Sequence, residues 1–283
     1  MNEIFLAIIA LLWLVFASIS DIKTREVPDW LSYSLIIIGF GNALFKSILL
    51  SNISFLFYSL FAFGLFFLIS ALMYYTKQWG GGDVKLLIGL VTLFPVYPEQ
   101  LLNYFNPNLD IPFILILVIN LILFGSLYSI TYGIYLIKKN KINFIFELKK
   151  YKIKKIYLFS PLIILILALL INEVILRLLL LSLGIIIILT PFLLIYVRII
   201  EDKCMLKKIK INKLTEGDWI TENIYSKSKL IYNKNSPGVT KSQIILIKKL
   251  NVKSLIVKEG IPFIPSFLIA FVITILFGNL FRI

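Results

Sequence analysis

Residues 4–29 read IFLAIIALLWLVFASISDIKTREVPD, an uncharged apolar run that turns charged at Asp21 and stays so to Asp29. A helix crosses the hydrocarbon core of a bilayer with about 20 predominantly apolar residues, so the first part of this stretch reads as a membrane span ending at Asp21. It lacks the basic start and the small-residue cleavage site of a secretory signal and is expected to be retained. Further along, similar runs occupy Trp30 to Leu50, Phe55 to Tyr75, Val84 to Val96, Ile111 to Ile137, Tyr157 to Asn172, Val174 to Ile200 and Pro262 to Phe281. With the first run, Ile4 to Ser20, these make eight candidate spans. Val84 to Val96 is short for a full crossing, and Tyr157 to Ile200 divides around Asn172, Glu173 and Arg177.

Basic residues near span ends stay on the cytoplasmic side. Alternating eight spans from an outside N-terminus puts 26 of the 29 Lys and Arg on one face, leaving only Lys46, Arg177 and Arg282 opposite. The excess of 29 basic over 15 acidic residues is therefore topological, with no nucleic-acid partner implied, although the eight lysines of Lys138 to Lys155 also suit anionic lipid headgroups. The fold class expected is an all-α polytopic membrane protein of about six to eight transmembrane helices, with a small α+β cytoplasmic domain before the last helix. Its parts are residues 1–200 in the membrane, 203–260 as the polar module and 261–283 as the C-terminal span.

The module is Lys-rich and short of apolar runs. Lys208 to Ile211 and Ser254 to Val257 pattern as strands, while Glu216-Gly217-Asp218 and Asn235-Ser236-Pro237-Gly238 read as turns. Thr240 with Gln243 forms a capping box ahead of Ile244 to Ile247, so a short helix is expected there. Cys204, at the module's edge, is expected to be a reduced thiol.

The chain has no histidine and one cysteine. Ser-His-Asp triads, Cys-His dyads, His-ligated zinc and intrachain disulfides are excluded, and no metal or other cofactor is expected. Proton chemistry falls to Asp, Glu, Lys, Tyr or Ser. Two aspartates stand out, both at span ends on one expected face. Asp21 closes the first span, and Asp83 follows Gly80-Gly81-Gly82 where an apolar helix resumes. Asp21 alone reads equally as an interfacial charge, and Asp83 as an N-cap at the positive end of a helix. Three glycines allow unusual backbone angles and close backbone approach, which suits an extended peptide lying beside the helix end. Two carboxyl groups in one site share a proton, so that one acts as base on a water while the other supports the oxyanion. Spacing alone does not bring the two together, since 62 residues and two spans separate them.

Asp21-x-Lys23-x-Arg25-x-Val27-Pro28 with Gly80-x-Gly82-Asp83 resembles the paired motifs of type IV prepilin peptidases, the GxGD membrane aspartyl proteases. Leu214-x-x-Gly217-Asp218 and the Gly260 to Pro265 stretch resemble the archaeal branch, which includes prepilin and preflagellin peptidases; the middle, Asn103 to Ile200, matches only as generic membrane helices. The resemblance implies a catalytic pair, Asp21 and Asp83, supported by Gly80, Gly82, Lys23, Arg25, Pro28 and Lys85. It implies a plasma-membrane enzyme that removes a short basic signal peptide from pilin- or flagellin-like precursors at the cytoplasmic face. Many bacterial relatives carry a cysteine-rich insertion and also N-methylate the new terminus; this chain has no such cluster, so peptidase activity without methylation is expected.

Neighbouring residues keep two readings each. Lys23 and Arg25 orient substrate or lipid, or simply anchor the span. Lys85 biases the charge of the pair or is structural. Glu26 and Asp29 contact a basic substrate segment or are interface polarity, while Pro262 and Pro265 read as helix-start residues. A presenilin-like intramembrane protease shares the GxGD motif but calls for its first Asp deep inside a span. A transporter calls for mid-span acids, whereas Glu173 fits an outer turn. A structural subunit of a pilus or secretion machine remains the third alternative.

Overall fold

The computed structural model describes residues 2–152, 156–226, 229–236, 238–250 and 253–281. Pro237 of the expected turn, Arg282, and residues 153–155 of the lysine-rich stretch lie outside the described residues. In chain order the elements are α1 (Glu3–Thr24), α2 (Asp29–Leu49), α3 (Ser54–Tyr75), α4 (Gly81–Leu93), α5 (Phe113–Lys139), a short α6 (Phe144–Leu148), α7 (Ile156–Leu170) and α8 (Val174–Cys204). There follow β1 (Leu206–Lys210), β2 (Trp219–Ile220), β3 (Ile224–Ser226), β4 (Lys229–Tyr232), α9 (Lys241–Lys248), β5 (Ser254–Lys258) and α10 (Ile264–Phe277). All eight expected spans lie on helices. Five of these, α1, α2, α3, α5 and α8, are long and apolar enough to cross a bilayer, and the chain is a polytopic membrane protein.

Main-chain contacts divide the described residues into two units: one runs to Thr131 and resumes at Lys207, and the other is Tyr132–Leu206. At the centre of the first unit is α4. Its 13 residues span only about 20 Å, too little to cross the hydrocarbon core alone. It stops at Leu93, short of the expected Val96, because Pro95 cannot continue a helix and biases Phe94 away from the α region. Every residue from Val84 to Leu93 except Lys85 is buried, so α4 is wrapped by protein and needs no lipid-facing stripe.

Small residues let the neighbouring helices close on α4, as expected where apolar lipid gives helices no hydrophobic reason to associate. A Cβ on Gly89 would lie 2.9 Å from the Cβ of Leu35 on α2, and one on Gly39 would lie 2.8 Å from the Leu93 nitrogen. From α3, Ser59 Oγ donates to the Thr92 carbonyl at 2.9 Å and Ser70 Oγ to that of Val84 at 3.4 Å. Helix α10 packs against α1, and Asn120 on α5 ties its far end by donating to Thr274 Oγ1 and the Gly278 carbonyl, both at 3.0 Å.

The polar module belongs to this unit. Its sheet has the order β1-β5-β2, with Trp219 opposite Lys258 and Ile220 opposite Val257 in the antiparallel β2–β5 pair, and β3 and β4 form a separate hairpin. The capping box at α9 is present on both sides: Thr240 N–H donates to Gln243 Oε1 at 2.9 Å and Gln243 N–H to Thr240 Oγ1 at 3.3 Å. The expected turn at Gly217 is also present, with φ at +92°. The core of the module gathers Leu214, Ile220, Tyr232, Val239, Ile247 and Val257.

In the second unit α7 and α8 pack closely where Gly184 leaves room for Leu165. Arg177 donates twice to the Ile171 carbonyl, at 2.8 and 2.6 Å, closing the break between them. Glu173 sits in that break at the N-terminus of α8, the turn position expected for it.

Candidate active site

Asp21 lies in the last turn of α1 and is only 7% exposed. A buried carboxylate needs hydrogen-bond donors. The first is the Ile264 N–H at the start of α10, which reaches Asp21 Oδ2 at 2.9 Å. The free N–H groups and positive dipole end of a helix favour an anion at that place. Just beyond, Arg25 closes α1 in the left-handed conformation (φ +61°), donates its N–H to the Asp21 carbonyl at 2.9 Å, and sets its Nε 3.9 Å from Glu259.

Asp83 is the third residue of α4, where its Oδ2 accepts the N–H of Gly80 at 3.0 Å. Gly80, and not Asp83, is the capping residue, so the carboxyl reaches back over the helix start. The glycine run does not use unusual backbone angles: Gly80 has φ −71°, and the described glycines with positive φ are Gly217, Gly238 and Gly278. Its use is close approach. A Cβ on Gly82 would lie 2.9 Å from both Cβ and Cγ2 of Val27, so the segment of chain that follows α1 rests on the bare backbone of the first turn of α4, which carries Asp83. The two carboxyl groups are within electrostatic reach of each other.

The other residues singled out by sequence surround this pair to different degrees. Lys23 is exposed in the last turn of α1, where a cation suits the helix dipole, and Pro28 precedes α2 as its cap. Glu26 is exposed, and its carbonyl accepts from Ser20 Oγ at 2.8 Å, which folds the chain back over the end of α1. Lys85 turns away to Asp29, 2.6 Å from its Oδ1, and lies over the Tyr33 ring at 5.6 Å. With these side chains 35% and 57% exposed, Lys85→Gln is expected to cost less than about 1 kcal/mol in thermal or denaturant unfolding of the detergent-solubilised protein. A loss above about 3 kcal/mol would show the pair to be a buried strut.

The module supplies further acids. Burial pushes the Asp218 carboxyl above the ordinary 3.8, and the charges of Glu26 and Glu259 push it the same way, against the opposing N–H of Thr215. A carboxyl raised in the folded state favours folding while protonated, so its contribution is lost as pH rises from 3.8 through the raised value. Asparagine at 218 keeps an acceptor for the Thr215 N–H, which now reaches Asp218 Oδ2 at 2.8 Å, and never ionises. Asp218→Asn is expected to slow hydrogen exchange of the Gly217 and Val239 amides at neutral pH, and faster exchange would contradict the assignment.

Sequence reasoning missed the contacts made across the chain: the Ile264 N–H, Glu259, and the ring of Phe263 against Trp79 at 6.0 Å. Only the Gly260 to Pro265 pattern pointed there. Among the described residues no cluster of three or more His, Cys, Asp or Glu is arranged to hold a metal ion.

Two aspartates from distant parts of the chain thus lie within electrostatic reach of each other, at the end of α1 and the start of α4, and the stretch containing both matches the model of the type IV leader peptidase family over residues 8–134. That stretch, less than half of the chain, is similar to the type IV leader peptidase family. The chain is 28% identical over 136 residues to a preflagellin peptidase of Methanococcus maripaludis, covering 48% of this chain and 59% of that one. It is 30% identical over 135 residues to the preflagellin peptidase of Methanococcus voltae, covering 48% and 58%. A prepilin peptidase of Methanothermobacter thermautotrophicus is 33% identical over 131 residues, covering 43% and 33%. The matches span about six tenths of the length of the two preflagellin peptidases. Both Asp21 and Asp83 lie inside the matched region, whereas α10, which binds Asp21, lies outside it.

Proposed function

We propose that this protein is an aspartyl endopeptidase that cleaves the short basic signal peptide from pilin- or flagellin-like precursors. The observation that supports it is the pair of Asp21, buried at the end of α1, and Asp83, half-buried at the start of α4, each accepting a backbone N–H. In this reading the ionised aspartate takes a proton from water as the water oxygen attacks the scissile carbonyl carbon. The protonated aspartate donates to the carbonyl oxygen, and collapse of the tetrahedral intermediate sends a proton to the departing amine. The pair acts at the cytoplasmic face of the plasma membrane, the side assigned by the basic residues. Glu26 and the Asp218–Glu259 neighbourhood suit a basic leader, and the lysines following α5 suit anionic lipid. With one cysteine in the chain, the activity is cleavage without N-methylation.

The test is cleavage of a purified precursor by the full chain reconstituted into vesicles as the only protease. Release of the leader, read as a mass shift of the precursor, is expected; an intact precursor after prolonged incubation with properly inserted protein would overturn the proposal.

A further inference from the structure

Each aspartate is held by the N–H of a residue that directly follows an aromatic ring. Trp79 precedes Gly80, which donates to Asp83 at 3.0 Å, and Phe263 precedes Ile264, which donates to Asp21 at 2.9 Å. The two aromatic rings touch, with centroids 6.0 Å apart, and Phe267 completes the cluster at 5.8 Å from Phe263 and 5.9 Å from Trp79. Beneath Phe263 lies Gly125 on α5. A Cβ there would stand 2.6 Å from Cζ and 3.0 Å from Cε2 of the ring, closer than packed carbons approach.

We propose that Phe263, seated on Gly125 and clasped to Trp79, is a positioning residue that sets the two aspartates relative to each other. The physical reason is rigidity. Backbone N–H groups fix the carboxyl oxygens only as well as the backbone itself is fixed, and the three glycines at the start of α4 restrain their own backbone less than other residues would. Joining that turn to the start of α10 through an edge-and-face aromatic cluster removes this freedom. Misplacement of a reacting group by about 1 Å costs on the order of a hundredfold in rate, so a smaller shift of the ring is expected to cost about tenfold. The inference rests on the peptidase reading, but its structural half has a readout that needs no activity.

Gly125→Ala crowds the seat without touching either aspartate. In reconstituted protein it is expected to lower kcat for precursor cleavage about tenfold, with KM within about twofold. In protein labelled with 5-fluorotryptophan, the fluorine resonance of Trp79, assigned by Trp79→Phe, is expected to shift while those of Trp13, Trp30 and Trp219 stay in place. Phe263→Leu, which opens the seat instead of crowding it, serves where Gly125→Ala does not fold, and is expected to move the same resonance and lower kcat. In the double variant the losses are expected to be less than multiplicative, because the smaller side chain relieves the crowding. An unmoved Trp79 resonance, an unchanged kcat, or strictly multiplicative losses would overturn the proposal. Failure of the unaltered protein to cleave, with the Trp79 resonance still responding, would sink the peptidase reading and leave the clasp standing.

Discussion

Asp21→Asn and Asp83→Asn are each expected to lower precursor cleavage by about a thousandfold or more while the protein stays folded and inserted. The two halves of this expectation have separate physical grounds. Asparagine has nearly the shape of aspartate and keeps a carbonyl oxygen, so Ile264 at one position and Gly80 at the other retain an acceptor for their N–H groups. The ends of α1, α4 and α10 therefore lose no partner that holds them. An amide, however, neither takes a proton from water nor gives one to a carbonyl oxygen at neutral pH. In the proposed mechanism proton transfer runs through the pair as a unit, so the double variant is expected to lose little more than either single one. The measurement is leader release per unit of inserted protein, with insertion checked by protease protection. Full cleavage by either variant would remove that aspartate from the mechanism.

The positions of the apolar helices were legible because each is a long apolar run, although among the described residues only five of the eight are long and apolar enough to cross a bilayer. Asp21 and Asp83 were legible as span-end acids in a sequence with only 15 carboxylates. What brings them together was not. The Ile264 donor lies 243 residues from Asp21, and local pattern does not encode a contact at that separation. The glycine run shows a second limit. Glycine permits both unusual φ and close approach, and sequence does not separate the two; here ordinary φ values at Gly80 and the Val27 side chain against Gly82 decide for close approach. In the module, β1 and β5 are five residues each and show their pattern, while β2, β3 and β4 have two to four and give period-two alternation too little length to register.

The same distinction between two uses of glycine yields the largest stability effect expected in this fold. Gly39 and Gly41 are two residues apart on α2, and composition treats them alike. A Cβ on Gly41 meets nothing within 4 Å, whereas one on Gly39 stands 2.8 to 2.9 Å from the Leu93 nitrogen, the Leu93 Cα and the Thr92 carbonyl carbon. Those are main-chain atoms, so no rotamer change relieves the clash. Retreat of α4 is blocked as well: it is buried from Leu86 to Leu93, and Ser59 Oγ holds the Thr92 carbonyl from the α3 side at 2.9 Å. Overpacking a close-packed interior costs about 1–3 kcal/mol, and a whole leucine side chain against fixed backbone belongs at the top of that range or above it. Gly39→Leu is therefore expected to destabilise the detergent-solubilised protein by about 3 kcal/mol. Gly41→Leu, which only exchanges a flexible helical residue for a better helix former, is expected to stabilise it by about 0.5–1 kcal/mol. Unfolding midpoints of the two variants measured side by side decide the matter, and equal midpoints would mean that α2 and α4 do not cross where Gly39 meets Leu93.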